Sequence, residues 1–319
     1  MILWGVNALN HGNSLAVFKD GKLISNRSSK EDTLDSNAIF EALHLGSPDR
    51  IFWYEQPWLK KARQFKAGQY NRAFDMSVLP RKYLNKIRIH YAPITYTPHH
   101  GSHAAAGYYT SPFNHCAVVV LDAIGEFECA TIWNCVHGEM KKVWSRSYPN
   151  SLGLFYSAFT QALGMTPIRD EWKLQAMAEN GNPLFFYYRV KKYFTGLLEL
   201  NYNFHKGVKD QKFYIDSIED ECNLAAAVQM VFEEQIEMIM NKAKELTNSD
   251  CLVWYNTAPT ELLGSPGFGS DQIYLNLGST TVLFALLFIA HPPMYTRQSA
   301  FVSSFALFII ISICSSNTI

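Results

Sequence analysis

The chain opens on short apolar runs separated by polar turns. Ile2–Ala8 is strand-like, Asn10-His11-Gly12-Asn13-Ser14 carries turn residues, and Leu15–Phe18 resumes the apolar pattern. Asp20-Gly21 ahead of Lys22–Ser25 is a hairpin signal, because glycine reaches positive φ without a side-chain clash. A polar stretch, Ser25–Ser36, leads to a short helix predicted over Asn37–Leu45 and a strand over Arg50–Tyr54. Residues 55–84 mix Lys and Arg with aromatics and read as a solvated helical surface. Ile87–His90 and Ile94–Thr97 read as further strands.

The opening pattern then returns. Ala117–Asp122 is an apolar run, Ala123-Ile124-Gly125-Glu126 a turn, Cys129–Cys135 a second strand, and Lys141–Tyr148 a third after His137-Gly138. Two such units, about 110 residues apart, predict an internal duplication with one unit in each of two lobes. Tight glycine turns after a strand leave backbone N–H groups that can face an anion, which makes Gly125 a candidate cofactor-binding position. Helices are predicted over Ser151–Leu163, with Ser151 as N-cap, and over Arg169–Gly181 and Phe185–Asn203. A long amphipathic helix spans Asp220–Leu246, its buried stripe marked by Leu224, Val228, Val231, Ile236 and Ile239. The fold class is α/β.

After Asp250 the periodicity stops. Residues 251–280 are turn-rich, and Thr281–Ala290 and Ala300–Cys314 are apolar runs shorter than the roughly 20 residues a spanning helix needs. The expected domain division is therefore 1–250 and a divergent tail, 251–319.

Composition narrows the function classes. The 319 residues carry 28 basic and 28 acidic side chains and are 48% hydrophobic, enough for a sizeable core without a nucleic-acid-binding stripe. Six cysteines without a CxxC pair, and no signal-peptide pattern at the N-terminus, fit a reducing cytoplasm. Nothing in the sequence sets the oligomeric state.

The chemistry concentrates in Pro98–Phe113, PHHGSHAAAGYYTSPF. His99 and His103 are four apart and would project from one face of a helix, close enough to grip one metal ion. Asp122, ending the apolar run that follows, supplies a carboxylate by a separate route. Lys173 and Arg169 are basic residues that could contact phosphate, although a helix-surface charge is the ordinary role.

Five ordered stretches resemble the N-terminal part of the O-carbamoyltransferase family, the nodulation and antibiotic carbamoyltransferases. They are Asn7–Ser14 with Asp20-Gly21, His99–Phe113, Asp122–Glu126, Ser151–Ser157, and a looser Glu171, Lys173, Met177-Ala178, Gly181 and Pro183. The resemblance covers residues 1 to about 250 and implies an actin/hexokinase-like two-lobed fold, its second lobe incomplete here. It also implies a carbamoyl group activated from carbamoyl phosphate and ATP as carbamoyl-adenylate, then passed to a hydroxyl of a small-molecule acceptor. His99, His103 and Asp122 would hold a divalent metal, iron by resemblance. His11 and Asn13 would take catalytic roles, and Gly125 and Lys173 would contact the cofactor. Two positions depart from the pattern: Gly12 replaces an acid and Ala123 replaces a glycine.

The family continues past the long helix into a G-G-x-A-L-N-C loop and a second domain. Here Cys251-Leu252-Val253 begins that strand, but the paired glycines are missing. Thr260–Gly264 can be encoded by ACTGAACTGCTCGG, and reading from the second base gives Leu-Asn-Cys-Ser, so a frameshifted tail is expected. A truncated chain of this kind is expected to transfer little carbamoyl on its own. The competing expectation is a non-catalytic metal- or ligand-binding lobe whose apolar tail contacts membrane.

Overall fold

The computed structural model describes residues 1–10, 12–208, 213, 215–256 and 273–276. Strands β1 (Ile2–Asn10), β2 (Gly12–Lys19) and β3 (Lys22–Ser29) run antiparallel. After helix α1 (Ser36–Leu45), β4 (Arg50–Trp53) returns parallel to β1. Helices α2 (Pro57–Lys66), α3 (Tyr70–Phe74) and α4 (Pro80–Lys86) lead to β5 (Ile94–Tyr96), parallel to β4. The sheet order is β3-β2-β1-β4-β5.

The second half repeats this plan. Helix α5 (His99–Thr110) enters an antiparallel trio, β6 (His115–Leu121), β7 (Glu128–Val136) and β8 (Glu139–Ser147). Helices α6 (Leu152–Ala162), α7 (Glu171–Ala178) and α8 (Tyr187–Lys191) follow, then a hairpin of β9 (Phe194–Gly196) and β10 (Glu199–Leu200). Helix α9 (Ile218–Thr247) delivers β11 (Leu252–Asn256) parallel to β6, and β12 (Ile273–Asn276) lies parallel to β11. The order β12-β11-β6-β7-β8 is the first sheet's order with the corresponding strands exchanged. The duplication predicted from the turn pattern is thus a duplication of topology. The chain is a two-lobed α/β protein, and among the described residues its second sheet has five strands, like the first.

Strand β6 explains how the layers hold together. Cys116, Val118 and Val120 face one hydrophobic cluster, shared with α5 and the first sheet. Ala117, Val119 and Leu121 face the other, shared with α6 and α9. A strand's period of two sends alternate side chains to opposite faces, so a wholly apolar run fits a strand covered on both sides. Helix α5 is pressed against this sheet because its residues are small: a Cβ on Gly107 would lie 2.7 Å from Val253 Cγ1.

Several elements differ from the pattern-based expectation. Ile87–His90 forms no strand; the chain leaves α4 at Lys86 and turns. Phe185–Asn203 is not one helix but α8 plus the β9–β10 hairpin, because Tyr193, Phe194 and Leu198 are drawn into the cluster around Phe155 and Phe159. The segment 55–84 is helical yet not simply solvated, since Lys61, Arg63 and Gln64 are buried. Lys61 gives its ammonium to the carbonyls of Arg72 and Asp75, capping the end of α3, and burial lowers its pKa. The expected division at 250 falls just before β11, where Leu252, Val253 and Trp254 are fully buried in the second sheet. The predicted frameshifted tail lies, apart from β11 and the backbone of β12, outside the described residues. Among the described residues no helix is long and apolar enough to cross a membrane.

Ser151 caps α6 as predicted, its Oγ accepting from Leu154 N–H at 3.0 Å. Ser151→Ala is expected to lower stability by about 1 kcal/mol, read as a shift in the urea midpoint at unchanged slope.

Candidate metal centre

Three residues of the second half converge on one point. His99 and His103 share a face of α5, one helical turn apart, and their Nε2 atoms lie 2.9 Å from each other. Asp122 follows β6 and puts Oδ2 3.0 Å from His99 Nε2. Its other oxygen accepts from Ala123 N–H at 2.7 Å, which turns the carboxylate toward the histidines. One ligand atom from each of the three lies within 4.8 Å of the others, a set that can hold a metal ion. The 2.9 and 3.0 Å separations match ligands about 2.1 Å from a common centre at about a right angle, and imidazole with carboxylate suits a borderline divalent ion.

Burial gives these groups their electrostatics. His99 and His103 are buried, and the Asp122 side chain is only 12% exposed. Burial works against a charge on His99, but the hydrogen bond and charge of Asp122, with Glu55 and Glu126 beyond, raise its pKa above the ordinary value. Burial and then the neighbouring His99 hold His103 well below its ordinary value. Burial alone would raise Asp122, yet the hydrogen bond from His99 and then the charge of that imidazole hold it far below the usual carboxylate range. The two histidines thus carry unlike proton affinities across a 2.9 Å contact.

The surroundings fix α5 in place. His100 is fully buried, with Nδ1 3.1 Å from Thr131 Oγ1 on β7, and burial pushes its pKa down to about 3, so it is a neutral anchor. Ser102 donates to Tyr54 O at 2.9 Å and lies 2.8 Å from Thr97 Oγ1, tying the helix to the end of β4. Gly153, near the start of α6, lets that helix abut the turn that begins with Asp122; a Cβ there would lie 3.1 Å from Ala123 Cα. From the first lobe, Lys60 pairs with Glu55 at 2.7 Å, and Glu55 Oε2 lies 4.0 Å from His99 Nδ1.

Of the remaining predicted site residues, Asn13, Gly125 and Lys173 lie among the described residues. His11 lies outside the described residues. Asn13 is buried, and its amide nitrogen lies 2.6 Å from Ser29 Oγ, 2.9 Å from Glu31 O and 2.8 Å from Thr33 O. That geometry holds the β3–α1 connection rather than presenting the amide to a substrate. Gly125 does not cradle an anion: its N–H donates to Glu128 O at 2.9 Å. It is glycine for packing, since a Cβ would meet His100 Cδ2 at 2.9 Å and His99 Cδ2 at 3.2 Å. Lys173 on α7 lies 3.2 Å from Asp170 and 5.5 Å over the Trp172 ring.

Sequence reasoning missed Glu126 as a functional residue. It sits in the predicted turn but is 4% exposed, and burial raises its carboxyl pKa despite N–H bonds from Gln56 and His99. Its placement four residues after Asp122 was the available signal.

Comparison with known proteins identifies the family. The profile of the family described as Carbamoyltransferase N-terminus matches residues 31–257, and the chain belongs to that family. An uncharacterized protein of Synechocystis is 27% identical over 212 residues, covering 56% of this chain and 34% of that protein. An uncharacterized protein of Methanocaldococcus jannaschii is 30% identical over 167 residues, covering 45% of this chain and 27% of that one. The chain therefore spans about a third or less of these relatives' lengths. Among solved structures, a ROK family protein from Streptococcus pneumoniae in complex with sucrose aligns over 91% of this chain and 97% of its own, at 10% identity and TM-score 0.46. A glucokinase from an Antarctic psychrotroph aligns over 91% and 98%, at 10% identity and TM-score 0.43.

Proposed function

We propose that this chain supplies the metal-bearing lobes of an O-carbamoyltransferase, the site where a carbamoyl group passes to a hydroxyl of a small molecule. The observation that carries the reading is the convergence of His99, His103 and Asp122 in a buried setting, in a chain of the carbamoyltransferase family. A divalent ion, iron by family resemblance, fits these ligands and when bound supplies Lewis-acid polarisation of an oxygen. The donor is a carbamoyl-adenylate made from ATP and carbamoyl phosphate. The acceptor oxygen bonds to the carbamoyl carbon, the bond from that carbon to the phosphate oxygen breaks, AMP leaves, and the hydroxyl proton passes to a base.

The chain's own residues do the holding and orienting. Asp122 and His99 keep each other aligned through the 3.0 Å contact, and His103 presents Nε2 from the next turn of the same helix. Burial of these groups excludes bulk water, which would otherwise compete with the acceptor for the activated carbamoyl group. His11 is the base on sequence grounds, since an imidazole is the side chain type suited to taking a proton near neutrality.

The test incubates the chain with labelled carbamoyl phosphate, ATP and a panel of hydroxyl acceptors, beside the Asp122→Asn variant. Label is expected in the acceptor with the unaltered chain, at turnover well below that of a full-length relative, and absent with the variant. Equal labelling by both would overturn the assignment.

Metal binding has a pH signature. His99 must shed its proton to ligate, and its pKa is raised, so protons compete at higher pH than for an ordinary histidine. Affinity for Co²⁺ is expected to be full on the alkaline side of that raised value and to fall about tenfold per pH unit below it. A Co²⁺ titration at stepped pH checks this, and a flat profile between about pH 8 and about pH 5 contradicts it.

A further inference from the structure

We infer that Glu126 is a positioning residue for the metal centre, one carboxylate that fixes the spacing between His99 and Asp122 and ties both to the first lobe. The inference rests on the metal reading above and adds to it a residue that is not itself a ligand.

Glu126 lies in the turn between β6 and β7, four residues after Asp122. Its Oε1 accepts from Gln56 N–H at 2.7 Å and from His99 N–H at 3.0 Å, and Oε2 is 3.1 Å from the same His99 nitrogen. Gln56 is the N-cap of α2 and His99 the first residue of α5. One carboxylate therefore satisfies orphan donors at the starts of two helices, where the positive ends of the helix dipoles favour a negative charge. Neither helix has a side-chain cap of its own at its N-cap residue, Gln56 or Pro98. The same turn is held a second time from α2, where Arg63 Nε donates to Glu126 O at 3.3 Å.

The geometry bears on the metal because of what the three anchored segments carry. Asp122 begins the turn, His99 and His103 ride on α5, and α2 belongs to the first lobe. With Glu126 in place, the start of α5 cannot slide along the turn without breaking its bonds to the carboxylate. Gly125 adds the complement, letting the turn's backbone close directly on the His99 and His100 rings. Removing the carboxylate leaves the ligands chemically intact but frees their relative placement. A buried carboxylate is costly unless it is bonded, and these bonds converge on the metal-bearing segments.

The experiment titrates Co²⁺ into the full 319-residue chain, following the visible absorption of the bound ion, with Glu126→Gln, Glu126→Asp, Asp122→Asn and Tyr83→Phe compared. Tyr83→Phe is the stability control, since its hydroxyl accepts from Leu34 N–H in the first-lobe core. Glu126→Gln is expected to weaken Co²⁺ binding about 10- to 100-fold and to change the absorption envelope of the ion that does bind. Glu126→Asp, one methylene shorter, is expected to recover part of the affinity by keeping the charge. Tyr83→Phe should lower the melting temperature and leave affinity and spectrum unchanged. If the unaltered chain binds Co²⁺, Asp122→Asn loses it, and folded Glu126→Gln matches the unaltered chain in affinity and spectrum, the inference about Glu126 is wrong while the metal reading stands. If Asp122→Asn binds as tightly as the unaltered chain, the metal reading itself fails, and this inference with it.

Discussion

His103→Ala is expected to reduce divalent-metal affinity by more than about 100-fold while the chain stays folded. The choice of residue matters. His103 can be removed without touching the His99–Asp122 contact at 3.0 Å, so the strongest charged pair at the site survives. Its imidazole, held neutral by burial, is a ready ligand that needs no proton displaced at neutral pH. Truncation leaves a small hole beside Asp122, costing about 1–3 kcal/mol by the usual range for core changes. A shared loss of metal and of carbamoyl transfer, with melting reduced by only a few degrees, is the expected pattern. Metal retained at near-original affinity would show that the two histidines meet for packing alone.

The second large effect falls on stability. Gly181, between α7 and α9, faces the backbone of α9 so closely that a Cβ would lie 1.9 Å from Cys222 O and 2.3 Å from Cys222 C. Those atoms belong to a helix backbone and cannot swing away as a side-chain tip could. The next residue anchors the approach, with Asn182 N–H donating to Asn223 Oδ1 at 2.6 Å. Gly181→Ala must therefore separate the segment from α9, and is expected to destabilise by about 3 kcal/mol, the upper end for overpacking. A fall in the denaturant midpoint of that order supports the packing account; a change under about 0.5 kcal/mol, the range of ordinary surface substitutions, contradicts it. Gly181 lies in the segment that matched the family pattern loosely, and its role there is close packing against α9.

The parts of the site that were legible in the sequence are those that local periodicity reaches. His99 and His103 at a spacing of four on a helix must share a face, and Asp122 closing an apolar run must sit at the end of a buried strand. The duplicated strand–turn–strand units were legible for the same reason, as period-two runs punctuated by glycine. What was hidden depends on segments far apart in the chain. Glu126 reads as a polar turn residue until the starts of α2 and α5 are brought to it. Arg63 reads as one of several solvated charges, yet it is buried and donates to Glu126 O, 63 positions away. Gly125 was expected to expose an N–H to an anion; tertiary packing against two histidine rings is what it serves instead. The aromatic run after Phe185 followed a helix-like pattern, and the core around Phe155 and Phe159 overrode it.

The central claim is that His99, His103 and Asp122 together hold one divalent ion. Anomalous diffraction from crystals of the chain loaded with Co²⁺ tests it most directly. The account predicts one strong anomalous peak bonded to Nε2 of both histidines and to an oxygen of Asp122. A crystal loaded under conditions where solution titration shows binding, but with its anomalous peak on other residues, would contradict it.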